Sequence, residues 1–71
     1  VADYKESVNE NNLYNLMLQL TQEQKSIWRI KKYYQMDAGN CQECKAFWAE
    51  FLQQKEDNVR RMKELIKNHI G

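Results

Sequence analysis

On both sides of a single glycine, apolar side chains recur at alternating steps of three and four. That spacing restricts the chain to helices with one broad buried face. After Gly39 the series runs Cys41, Cys44, Trp48, Phe51, Lys55, Asn58, Met62, Leu65 and His69. Phe47, Leu52, Val59, Ile66 and Ile70 widen it, while Lys45, Glu50, Glu56, Asp57, Arg60, Arg61, Lys63, Glu64 and Lys67 occupy the opposite side of the helical wheel. The phase survives the polar run at residues 53–58, so residues 41–70 read as one helix, about 45 Å long at 1.5 Å per residue. Before the glycine, Leu13, Leu16, Leu20, Glu23, Ile27, Ile30 and Tyr34 step in the same way, with Tyr14, Met17 and Leu18 at the margin.

Helix ends are marked by local chemistry. Ser7 with Glu10, Thr21 with Gln24, and Asn40 with Glu43 each match a capping box, in which a short polar side chain and a later Glu or Gln satisfy each other's free backbone N–H groups. Gly39 suits the left-handed position after a helix ending near Asp37. The expectation is an all-α chain with helices at about 8–20, 22–37 and 41–70, residues 1–6 a flexible tail and 7–71 one domain. The first two helices are collinear or bent at Thr21. The simplest arrangement is an antiparallel helical hairpin with its tip at Gly39. It is completed either as a three-helix bundle or by dimerising into a four-helix bundle, because the stripes are wider than one hairpin covers. The overhang of a 30-residue third helix favours the dimer.

Composition agrees with helix: the 71 residues include no proline and only two glycines. A net charge of +1 does not by itself imply a nucleic-acid, membrane or acidic partner. Charge alternates by segment, with residues 1–24 at −3, 25–36 at +4, 37–57 at −3 and 58–71 at +3. In a hairpin each basic segment lies beside an acidic one, which favours a single register. No apolar run reaches the length of a membrane span. The N-terminus lacks a signal-peptide pattern, and two cysteines are too few for a secreted disulfide framework. An intracellular protein, cytoplasmic or nuclear, is therefore expected, and the initial Val points to a piece of something larger.

Two polar residues interrupt the stripes. Glu23 lies 16 positions before Gly39 and Lys55 16 after it, so a hairpin places them nearly opposite. Either they pair inside the bundle and fix its register, or Lys55 reaches solvent and Glu23 sits in a first helical turn.

Cys41 and Cys44 form a Cys-x-x-Cys pair at the start of the last helix. As small hydrophobes they would fill successive seam positions. As half a zinc site they would need a second chain, since His69 is far away. Two hairpins meeting at their tips would resemble the zinc hook of the long-coiled-coil DNA repair ATPases. The resemblance covers only these two cysteines and the tip, and "CQEC" lacks the proline of those hooks. As a redox pair, Cys41 would gain acidity from the helix N-terminus, but the strand–helix frame that usually presents such a motif is missing. The core reading is the expectation.

The stretch "WRIKKYY" interleaves basic and aromatic residues. Lys25, Arg29 and Lys32 line the face opposite the stripe, Trp28 and Tyr33 its shoulders, and Arg60, Arg61 and Lys63 add charge on the other arm. Such faces can grip structured RNA through its phosphates and shape, although a solvated basic surface is the simpler reading. No Ser/His/Asp or Cys/His set and no phosphate-cradling glycine loop can be assembled, so no catalysis and no cofactor are expected.

The chain thus reads as a non-catalytic protein–protein interaction and oligomerisation module of a scaffold or regulatory kind. Its partner would be a second copy or an amphipathic helix of another protein. Leu13, Leu16, Leu20, Ile27, Trp28, Ile30, Tyr33, Trp48, Phe51, Met62, Leu65 and Ile66 would carry that contact. The alternative is a nucleic-acid-binding helical dimer using the basic faces of residues 25–32 and 60–63. The third is a zinc-bridged dimer through Cys41 and Cys44.

Overall fold

The structure is a computed structural model that describes residues 2–70, with side chains from Asn11 to Ile70. It is all-helical and holds two helical arms. The first comprises α1 (Ala2–Arg29), a wide-turn π-helical segment π1 (Ile30–Tyr34) and the short α2 (Gln35–Asp37); the second is α3 (Gln42–Ile70). The arms run antiparallel and pack along their length, giving a rod of 58 × 15 × 15 Å. Its radius of gyration is 16.5 Å, against roughly 11 Å for a compact domain of this length.

The expected break between helices 8–20 and 22–37 does not exist. Thr21 does not cap anything: its Oγ1 donates to the Met17 carbonyl one turn back, so the hydroxyl is satisfied inside a continuous helix. The backbone helix also begins at Ala2, inside the segment expected to be a tail. Val1 and the side chains of the Ser7–Glu10 box lie outside the described residues. The overhang is reversed as well, because the first arm is the longer one. A compact three-helix packing is not what the chain adopts.

At the tip, α2 ends at Asp37, and Gly39 takes φ +57°, a conformation open to glycine at little steric cost. The Gly39 N–H donates to the Met36 carbonyl and the Cys41 N–H to the Ala38 carbonyl, both at 3.0 Å. The cap of α3 is Cys41 rather than Asn40. Its Sγ accepts the Cys44 N–H at 3.2 Å, the bond a capping side chain makes to the third helical residue. At the far end the His69 Nδ1–H donates to the Leu65 carbonyl at 3.0 Å.

The seam is narrower than the sequence stripes. Its central line runs through Leu13, Leu16, Leu20, Glu23, Ile27 and Ile30 on one arm and Trp48, Leu52, Lys55, Val59, Met62 and Ile66 on the other, with Ser26, Phe51 and Glu56 half-buried beside it. Each set keeps a strict seven-residue repeat, the pattern of two helices in coiled-coil contact. Among the described residues only Ile30 and Val59 are buried. The α3 line is therefore rotated from the expected one. Val59 and Ile66, taken as flankers, are central, whereas Asn58, Leu65 and His69 are exposed. Cys41 and Cys44 are exposed too, so the expectation that they pack in the core is wrong. They precede the first facing residue, Trp48, where the arms are still turning at the tip.

The π segment corrects the first arm. Gln35 N–H donates to the Ile30 carbonyl, five residues back, so the turn holds one residue more than an α-turn. The seam steps from Ile30 to Gln35 and Ala38, and Tyr34, expected on the core line, is displaced to the exposed margin.

Candidate functional site

Three groups of side chains stand out in or beside the seam. The first is the seam pair. Lys55 Nζ lies 2.6 Å from Glu23 Oε1, and the two side chains are only 16% and 19% exposed. Asn58 Nδ2 donates to the other Glu23 oxygen at 3.4 Å, and Lys55 also sits over the Phe51 ring, 4.6 Å from its centre. The carboxylate therefore has a partner for each oxygen, and the ammonium has a carboxylate and a ring face.

The second group is apolar and faces outward. One edge of α3, at helical spacing, carries Phe47, Phe51, Asn58, Arg61 and Leu65. Phe47 and Phe51 stack with centres 5.6 Å apart, and Trp48 packs edge-on to both. Tyr34, pushed aside by π1, closes the cluster from the other arm at 5.1 Å from Trp48. Phe47 remains 55% exposed and Leu65 42%. Between them, Met62 and Leu65 line a shallow groove with Gln19, Glu23, Asn58 and Arg61. A separate strip on the first arm carries exposed Tyr14, Met17, Leu18 and Trp28.

This divides the expected contact residues. Leu13, Leu16, Leu20, Ile27, Ile30, Trp48, Phe51, Met62 and Ile66 face the chain's own opposite arm, wholly or in part. Trp28, Tyr33 and Leu65 remain available outside. Exposed Phe47 and Tyr34 were not among the expected contact residues; the i, i+4 spacing of Phe47 and Phe51 was the available signal.

Basic residues of the first arm gather around Trp28, apart from those of α3. Lys25 and Arg29 line one groove with Thr21, Gln24 and Trp28, while Arg61 lines the other. Arg60 is paired with Asp57, which also accepts from Gln53 at 3.1 Å. Lys31 lies 3.9 Å from Glu56. Lys32 sits over the Trp28 ring at 5.5 Å, and Tyr33 meets that ring edge-on.

The third group is the tip dithiol. The neighbouring Cys44 side chain, followed by the Cys44 N–H, pulls the Cys41 pKa below that of an ordinary thiol. The same contact between the two side chains holds the proton on Cys44 and raises its pKa. Among the described residues no group of three or more His, Cys, Asp or Glu side chains is placed to hold a metal ion. No described helix is long and apolar enough to cross a membrane. No family model, curated protein or solved structure matches the chain.

Proposed function

We propose that the chain is a non-catalytic oligomerisation module, in which two hairpins pair through the α3 edge bearing Phe47, Phe51 and Leu65. The carrying observation is surface in excess of what a chain this small can leave bare. Its accessible area is 5812 Å², about 1,100 Å² more than the roughly 4,700 Å² of a compact monomer of 8.6 kDa. A stable protein contact takes about 800 Å² from each partner. With Ile30 and Val59 the only buried side chains among the described residues, a single chain also has little core to hold it folded.

A second copy fits the charge as well. Two α3 helices laid antiparallel about a two-fold axis would set residues 37–57, at −3, against residues 58–71 of the other chain, at +3. The same arrangement brings the Phe47–Phe51 cluster of each chain toward the other's Leu65. Four helices would then enclose the aromatic rings, the environment in which such anchors contribute most.

Sedimentation equilibrium of the full chain tests this. A dimer is expected, dissociated by Phe47→Glu or Leu65→Glu with helical content kept, and unaffected by Tyr14→Glu on the other arm. A monomer at about 100 µM removes the second-copy reading. The division of the basic residues between two grooves weighs against the nucleic-acid alternative. Retention on structured RNA at about 50 mM salt, lost on reversing Arg29 and Lys32, would favour it instead.

A further inference from the structure

We infer that Cys41 and Cys44 form a reversible dithiol–disulfide couple at the hairpin tip, closed by a small-molecule disulfide of the glutathione class. The inference goes beyond the pairing of hairpins and does not depend on it. It rests on the placement of the two sulfurs relative to each other and to solvent. Both side chains are exposed, so a tripeptide-sized reagent reaches them. They are the only cysteines in the chain, so neither has another partner within it. Cys41 stands just outside the helix, and its sulfur is already turned back over the first turn, 3.2 Å from the Cys44 nitrogen.

Geometry permits closure. Side chains three apart within a helix have Cβ atoms about 5–6 Å apart, whereas a disulfide needs about 3.5–4.5 Å. Cys41 is not bound by helical geometry, and the segment before it turns at Gly39. The adjustment of about 1–2 Å falls on that turn and leaves α3 in place. A core location for the two thiols would have blocked the reagent. Their position ahead of Trp48 removes that obstacle.

The two thiols are also unlike each other, which sets the order of events. Cys41, with its sulfur beside the Cys44 side chain and N–H, is the better thiolate; Cys44 keeps its proton. The Cys41 thiolate attacks one sulfur of the reagent disulfide. Its S–S bond breaks, one thiolate leaves and takes a proton from water, and a mixed disulfide remains on Cys41. Cys44 then gives up its proton to solvent and attacks the Cys41 sulfur, expelling the second thiol. The protein dithiol loses two electrons and two protons, and the reagent is reduced to two thiols.

The test is the reduced full-length chain equilibrated in glutathione buffers of stepped oxidising ratio, with intact mass and peptide mapping as readouts. The expected product is a chain lighter by two hydrogens, with the new bond joining Cys41 to Cys44, reopened by reduced glutathione. In Cys44→Ser the reaction should stop with one glutathione on Cys41. In Cys41→Ser the remaining thiol should react several-fold more slowly at neutral pH. Both substitutions are at the surface, and circular dichroism checks that the helices persist. A disulfide between chains, two glutathiones on one chain, or no reaction in the most oxidising buffer would each overturn the inference. So would uptake of one zinc ion per two reduced chains with both thiols protected, which would assign the pair to a metal.

Discussion

Glu23 and Lys55 form a pair that is neither exposed nor fully dry, and its energetics follow from that. Removing either partner leaves a partly desolvated charge, so Glu23→Gln or Lys55→Met should cost about 1–3 kcal/mol, between the values for surface and buried pairs. Exchanging the charges, with Glu23→Lys and Lys55→Glu together, should recover most of that loss in urea denaturation, since Asn58 can turn its amide to present oxygen. If the exchange is no more stable than either single variant, the two side chains are not coupled. At the tip, the first cause of the depressed Cys41 pKa is the Cys44 thiol. A lowered pKa means thiolate forms at lower pH, so Cys41 should alkylate with a midpoint below that of Cys44. Cys44→Ala should move the Cys41 midpoint upward, read by iodoacetamide labelling across pH with peptide mapping. The pair at 23 and 55 could be located by counting residues from Gly39, because a continuous hairpin leaves little choice of register. The state of the cysteines could not, because Cys-x-x-Cys has the spacing of a seam as well as that of a surface dithiol.

Between residues and molecule lies the question of how each arm keeps its phase. The helices, the turn at Gly39 and the antiparallel course were legible in the three-and-four spacing. The continuity of the first arm was ambiguous, since threonine both caps helices and bonds back within them. The extra residue in π1 left no trace, because one inserted residue alters phase without altering composition. Its consequence is testable. Deleting Lys32 should let residues 30–38 run as plain α-helix with Gln35 and Ala38 still on the seam, and stability should change by less than about 1 kcal/mol. Deleting Gln22 has no such slack to absorb. It turns Ile27 and Ile30 off the seam and should cost about 2–5 kcal/mol for each core side chain lost. Equal losses from the two deletions would mean that π1 does not set the phase. On α3 the expected line was one position out at alternate steps because Phe51 and Leu52, and Leu65 and Ile66, are comparably apolar neighbours, and only the facing arm decides between them.

For the whole molecule, shape dominates. A rod in which Ile30 alone is fully buried among the described residues has little independent interior, so paired hairpins should melt as one unit and not as separate chains. Tenfold dilution should then lower Tm by about 3–6 °C in differential scanning fluorimetry. A Tm independent of concentration would mean that the hairpin folds alone. The antiparallel course also places Ala2 and Ile70 toward the same end of the rod, away from the turn at Gly39. A load that draws those ends apart meets the seam one layer at a time, Leu13 and Ile66 before Glu23 and Lys55, with Ile30 last. The hairpin is thus weak to opening from its base and stiff to pulling along its length, and the ionic pair midway is the latch at which a partial opening would pause.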